Sequence, residues 1–357
     1  MGMNDESPRS RVSADDLAAY ALDAHDADEV AAIAAHLDAN PDAVRREQDL
    51  RSAAGEFAAA FVDEVVPAPE LRFRVLAEAR RRRAPAAVIA GASPIDVHRV
   101  EVARAILLLR DLTVDDWARP VDPPELAGWT VHDVVVHLVA NQSLLADRLG
   151  VPVSGIPETA TDNEGRTAQA RVRHAGRRPA FAVAELEAAA RATDTELAVR
   201  GEARLDEPVD WWGQRVSTRL AVLVRAFETW THTDDIRRAI GAGVVDPPPA
   251  SLLTMAHAAC GLVPMMLATR GTYQAGRFVR FRFTDLGGAG WDIDLGAVGG
   301  VRPAGDDAVD AEFVTEAAAV CRCISARLDP CELAYDVVGD GQLAHRVVDA
   351  LPALAVL

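Results

Sequence analysis

Apolar residues recur at helical spacing over most of the chain and alternate strictly with polar ones only near its end. Ser13 to Asp23 is rich in Ala and Leu, with acidic residues near its start, where a helix dipole favours negative charge; it predicts a helix. Asp26 followed by Glu29 is a capping-box pattern that opens a second helix to about Leu37. Asn40-Pro41 supplies an N-cap and a first-turn proline for a third, reaching about Glu64. Val66-Pro67-Ala68-Pro69 breaks the chain, and a fourth helix runs from Glu70 into the Arg80–Arg83 run.

An Ala/Pro/Gly linker over residues 84–92 follows. Ser93-Pro94 restarts a helix with Asp96 in its first turn and apolar positions Val97, Val100, Ala103, Ile106, Leu107 and Leu109. After a loop containing Pro120, Pro123 and Pro124, Thr130 and Asp133 cap a long helix from Val131 to about Leu149. Ala180–Val199 and Ser217–Ile240 supply two more, so residues 93–245 read as an up-and-down four-helix bundle.

From Asp246 the period changes. Val279, Phe281 and Phe283 alternate with Arg280 and Arg282, while Trp291, Ile293 and Leu295 alternate with Asp292 and Asp294. The glycine-rich stretch 287–290 lies between them, which predicts a hairpin whose outer positions pair Arg with Asp. Helices near Ala317–Leu328 and Gln342–Leu351 complete a small α+β domain over residues 246–357. The expected fold class is therefore mainly α, with a small helical domain (1–83), the linker, the bundle and the α+β domain.

Composition narrows the function. The chain has 357 residues, enough for several cores, and a formal net charge of −17, which argues against direct nucleic-acid binding. It contains no lysine, which excludes a P-loop and, with its Ala, Asp and Val content, fits a high-GC, actinobacterial genome. Cys260, Cys321, Cys323 and Cys331 form no dense disulfide framework. The N-terminus is no secretory signal, and no uninterrupted apolar run approaches the roughly 18 residues that span a bilayer, so a cytoplasmic protein without membrane contact is expected.

Candidate chemistry lies in three side chains. Glu228 and His232 are four apart, on one helix face, and His137 sits in an apolar stretch of another helix. Two imidazoles and a carboxylate form a zinc-type ligand set that leaves one coordination position open. Spacing alone does not separate this from a core histidine and a surface Glu–His pair.

The surrounding sequence sharpens the choice. Gly128-Trp-Thr-Val-His-Asp-Val-Val-Val-His137-Leu and Phe227-Glu-Thr-Trp-Thr-His232-Thr-Asp-Asp-Ile-Arg-Arg-Ala-Ile-Gly241 resemble the mycothiol-dependent maleylpyruvate isomerase family of the DinB-like superfamily, as do Leu112–Pro120 and Leu144–Gly150. The resemblance implies a metal-binding four-helix bundle in which His137, Glu228 and His232 hold one zinc ion that activates mycothiol. It implies an arginine that contacts the thiol ligand, for which Arg277, Arg280 and Arg282 are candidates.

Residues 13–83 resemble the N-terminal domain of anti-sigma factors of the zinc-finger type, through Tyr20–Ala24, Ala35–Ala43 and Pro67–Leu76. His36 of the H-x3-C-x2-C motif is retained, but Asn40 and Ala43 stand at the cysteine positions, so this module should be metal-free. The resemblance implies an extracytoplasmic-function sigma factor as partner, with Leu71, Phe73, Val75 and Leu76 as part of an apolar contact surface.

The leading sequence reading is a cytoplasmic anti-sigma factor whose zinc-binding, DinB-like domain senses a thiol or an electrophile. The alternative is a mycothiol-dependent isomerase or transferase whose N-terminal helices only mediate contacts. A third is a metal fold kept as a structural relic.

Overall fold

In the computed structural model of the chain, Ser13 accepts a hydrogen bond from the Asp16 amide at 3.2 Å and Asp16 accepts one from the Ser13 amide at 2.7 Å. This reciprocal cap starts α1 (Ala14–Ala21). The structure describes residues 12–22, 27–59, 90–153, 155–211 and 213–355. The chain divides into two compact units, Met1–Ala84 and Pro85–Leu357.

In the first unit α1 and α2 (Ala27–Ala39) each pack on α3 (Pro41–Ala59), with Leu17, Ala21 and Ile33 buried. Asn40 was expected to cap α3. It stands at that position, since α3 begins at Pro41 and the Val44 amide donates to the Asn40 carbonyl at 3.2 Å, while its side-chain amide donates to the His36 carbonyl at 2.9 Å and closes the end of α2. The expected fourth helix from Glu70, the partner-surface residues Leu71, Phe73, Val75 and Leu76, and most of the 84–92 linker lie outside the described residues.

In the second unit Ser93 caps α4 (Pro94–Arg110) and Thr130 with Asp133 forms the capping box of α5 (Val131–Arg148). Then come α6 (Asn163–His174), α7 (Pro179–Arg200), the short α8 (Glu202–Asp206), a hairpin of β1 (Pro208–Trp211) and β2 (Gln214–Ser217), and α9 (Thr218–Ala239). Helices α4, α5, α7 and α9 make the bundle, and α6 packs along α5. The hairpin and α6 have no counterpart in the sequence expectation. Helix α6 carries arginines where an amphipathic helix carries its apolar stripe, so no hydrophobic period reveals it; only the Asp162 cap marks its start.

The expected apolar stripe of α4 is half right. Val97 and Leu109 are buried, but Leu107 is 62% exposed and Val102 and Ala105 take the core positions. His98 and Glu101 are buried beside them. His98 is held by Asp194 at 3.2 Å and Gln142 at 3.1 Å, so a polar layer ties α4, α5 and α7 together and satisfies groups that would otherwise be costly to bury.

Beyond the bundle, α10 (Pro249–Thr269) is the one helix among the described residues long and apolar enough to cross a membrane by length and composition. The sequence has no uninterrupted apolar run of that length here, because Ser251, Thr254 and His257 interrupt it, and the helix is apolar because it is packed inside the protein. In the fold, Met255, Cys260, Val263, Met266 and Leu267 of this helix are buried in one core with Trp230 of α9 and the sheet. At the start of α10, Thr254 donates to the Ala92 carbonyl at 2.8 Å and so fixes the end of the linker.

The sheet has the order β5-β4-β3-β6-β7. It is formed by β3 (Phe278–Phe283), β4 (Gly290–Asp294), β5 (Val301–Pro303), β6 (Ala311–Thr315) and β7 (Tyr335–Gly339), all pairs antiparallel except β3 with β6. The expected β3–β4 hairpin is present, with Arg280 opposite Asp292. Gly290 has no room for a side chain, since a Cβ would lie 2.2 Å from the Phe281 carbonyl oxygen. One face stacks Phe281 on Phe313 at 4.5 Å and packs under α10, α11 (Ala317–Ile324) and α12 (Gly341–Ala350). The fold class is the expected one, a mainly helical chain with a helical bundle and a C-terminal α+β part.

Candidate functional site

The face of α5 that turns towards α9 and α6 carries His137 and, one turn on, Asn141. On α9 the four-residue spacing sets Glu228 and His232 on one face. All four side chains line a cavity of about 600 Å³. Apolar walls come from Leu126, Trp129, Leu220, Phe227, Met255 and Leu262, and a polar side from Thr167 and Arg171 of α6 with Ser325 and Arg327 after α11. Such a chamber, largely apolar with a few converging polar groups, is the usual form of a small-molecule site.

His137 and His232 meet edge to face, with ring centroids 5.0 Å apart. The half-buried His137 has partners at both ring nitrogens: Thr167 Oγ1 lies 2.9 Å from Nδ1, and the Asn141 side-chain amide lies 3.0 Å from Nε2. The amide donates, so the Nε2 lone pair faces Asn141 and Nδ1–H donates to Thr167. Burial first, and then the positive surroundings of His232, Arg225 and Arg327, hold the His137 pKa well below its ordinary value. An imidazole kept neutral in this way is in the state that binds metal.

His232 is anchored from the other side. Its Nδ1 lies 3.0 Å from Oδ2 of Asp235, a fully buried carboxylate. Asp235 also accepts two bonds from Arg327, Nε to Oδ1 at 3.1 Å and Nη2 to Oδ2 at 2.8 Å. Burial alone would raise the Asp235 pKa; the bonds from His232 and Arg327 outweigh it, and the carboxyl titrates below its ordinary value.

Glu228 is engaged elsewhere. It is paired with Arg225, whose guanidinium is fully buried and whose Nε and Nη2 find no acceptor among the described residues. Hence, although the three expected ligands line one cavity, no group of three His, Cys, Asp or Glu side chains among the described residues is arranged to hold a metal ion. The physical reason is the Arg225 charge: a buried guanidinium needs a counter-ion, and Glu228 is three residues away on the same helix.

The candidate thiol-contacting arginines do not line the cavity. Arg277 is paired with Asp310 and Asp340, each at 2.7 Å. Arg280 grips Asp292 through two bonds of 2.5 and 3.0 Å, and Arg282 pairs with Glu312 at 3.0 Å. Every second residue of β3 faces acidic neighbours on the adjacent strands rather than the bundle. The arginines that do reach the cavity are Arg171, stacked 4.8 Å over the Trp129 ring, and Arg327. Neither had a sequence signal: Arg171 lies on the helix without an apolar period, and Arg327 acquires its place only through the turn after α11.

That turn has a definite cause. The Ala326 amide bonds the Cys323 carbonyl at 2.9 Å and the Arg327 amide bonds the Arg322 carbonyl at 2.7 Å, the double closure of a Schellman motif. The motif needs a left-handed residue, and Ala326 takes it with φ +55°, the one non-glycine residue with positive φ among those described. An alanine there carries strain of roughly 1–2 kcal/mol.

Residues 98–237 match the family described as the mycothiol maleylpyruvate isomerase N-terminal domain. That interval contains His137, Glu228 and His232 and leaves out the first unit and the C-terminal α+β part. Two crystal structures of the mycothiol-dependent maleylpyruvate isomerase, one of them of a point variant, are similar to this chain at 16% identity. Their TM-scores are 0.46 and 0.45, and the alignment covers 68% of this chain and 91% of theirs. Among curated proteins none matches.

Proposed function

We propose that the second unit is a thiol-dependent isomerase or transferase that binds mycothiol in the cavity beside a divalent metal ion, zinc, held by His137, Glu228 and His232. The observation that carries this reading is the convergence on one cavity of those three side chains of the matched domain, from two helices, with Glu228 91 residues after His137 in the chain. The donor set suits zinc in kind, two imidazoles and one carboxylate with an open side. Glu228 has to exchange Arg225 for the ion. A bound zinc supplies a charge that deprotonates a thiol and makes it a strong nucleophile at neutral pH.

The chain's own residues do the rest. Thr167 holds the His137 ring through Nδ1, Asn141 has to release the Nε2 lone pair to the ion, and Asp235 holds the proton on His232 Nδ1. The apolar wall limits water around the sulfur, which strengthens every charge interaction there. Arg171, on its aromatic platform, offers a cation to an anionic group of the second substrate. Sequestration of a sigma factor, the other sequence reading, finds no support in the matched domain or in the described residues.

Isothermal titration of mycothiol into the zinc-loaded chain tests the proposal. The account expects saturable one-to-one binding with release of a proton, seen as an observed heat that varies with the ionisation heat of the buffer, because the thiol binds as thiolate. Absence of binding to the zinc-loaded chain would overturn it.

A further inference from the structure

Two adjacent aspartates of α9 reach the C-terminal part in the same way but differ in what else they touch. Asp234 accepts from Arg322 at 3.0 and 3.3 Å, and this pair makes no contact with an expected ligand. Asp235 accepts from Arg327 through the planar fork and, on the same carboxylate, from His232 Nδ1. The Arg327 side chain is only 7% exposed and its third nitrogen donates to the Ser325 carbonyl at 2.6 Å, so the guanidinium has little freedom. Its backbone is set by the left-handed Ala326, in the Schellman turn that follows α11. A strained residue persists where its surroundings over-determine it, and this one directly precedes the arginine that reaches the bundle.

We propose that Arg327 and Asp235 are a positioning pair for His232. The pair holds the imidazole proton on Nδ1 and keeps the Nε2 lone pair for the cavity, so the α+β part sets the geometry of a site built on the bundle. For metal binding this rests on the reading above; for the tautomer it stands on its own. A carboxylate behind a ligating histidine fixes ring and tautomer, and its loss typically weakens metal binding about 10–100-fold. An asparagine in its place can donate to Nδ1 and drive the proton to Nε2. Lysine in place of Arg327 keeps the charge but loses the two-pronged contact.

The test uses the full chain and three variants, Asp235→Asn, Arg327→Lys and Asp234→Asn. Nitrogen-15 spectra of the histidine side chains in metal-free protein read the tautomer, and zinc titration against a chelator of known affinity reads the site. The expected results are Nδ1–H on His232 in the wild type, a shift to Nε2–H in Asp235→Asn, and zinc affinity lower by about 10–100-fold there and by less in Arg327→Lys. Asp234→Asn, which breaks a comparable buried pair, should leave tautomer and affinity unchanged. Nε2–H in the wild type overturns the proposal, as does equal loss of zinc affinity in Asp234→Asn and Asp235→Asn. If the wild type binds no zinc, the metal reading fails and the tautomers alone decide: Nδ1–H that is lost in Asp235→Asn supports the pair, any other pattern overturns it.

Discussion

Replacing His232 by alanine is expected to remove thiol-dependent turnover of an electrophile by on the order of 10²–10³-fold, the scale of losing one preorganised electrostatic element of an active site. The side chain lines the cavity next to His137 and is 8% exposed, so its truncation opens space without exposing a large apolar surface. The fold should persist, because the bundle is held by the separate polar layer around His98 and by the apolar core along α5. Steady-state rates with mycothiol and a panel of electrophiles, alongside far-UV circular dichroism, make the measurement. A rate unchanged in a folded variant counts against a catalytic role for the cavity.

The second large effect concerns stability alone. Asp292→Ala is expected to destabilise the second unit by about 1–3 kcal/mol, because it removes two charge-assisted bonds from the buried Arg280 guanidinium and leaves it only Glu312 at 3.5 Å and the Asp307 carbonyl at 2.9 Å. Asp292 is 2% and Arg280 5% exposed, and two bonds join them. Although burial raises the Asp292 pKa, those bonds more than offset it and keep the carboxyl below its ordinary range. Denaturant unfolding gives the change directly. In Arg280→Met and Arg282→Met, mycothiol affinity should stay at the wild-type level while stability shifts, since neither arginine lines the cavity. A selective loss of thiol binding in either would restore it as a ligand contact.

The hairpin behind that prediction was readable from residues alone. The two-residue period on either side of a glycine-rich turn marks the hairpin and its faces, and Arg280 does stand opposite Asp292; the rest of the pairing was not local, since Arg282 stands opposite Gly290 and Asp294 opposite Phe278. Helix starts at Ser13, Ser93 and Thr130 were equally legible, since an N-cap acts within one turn. Asn40-Pro41 was legible as the start of α3 as well, but a side chain between two helices can serve either end, and the His36 carbonyl took the Asn40 amide. Helix α6 stayed hidden because its polar sequence has no apolar face, although it supplies Thr167 and Arg171 to the site.

The site itself was legible only in part. His137, Glu228 and His232 could be named because two helical segments carry them in a distinctive wording. Asp235 stood inside that wording, yet its task depends on Arg327, 92 residues later, and no local pattern announces a contact at that separation. The capture of Glu228 by Arg225 was invisible for a different reason. Both lie on one helix at a spacing that any ion pair can share, and only burial turns the pair into an obligation.

Crystals of the zinc-loaded chain measured on both sides of the zinc absorption edge test the central claim most directly. The account predicts one anomalous peak per chain, bonded to His137, Glu228 and His232 at about 2.0–2.2 Å, with Glu228 released from Arg225. A chain that carries no stoichiometric zinc, or a peak bonded to other residues while Glu228 remains on Arg225, would contradict it.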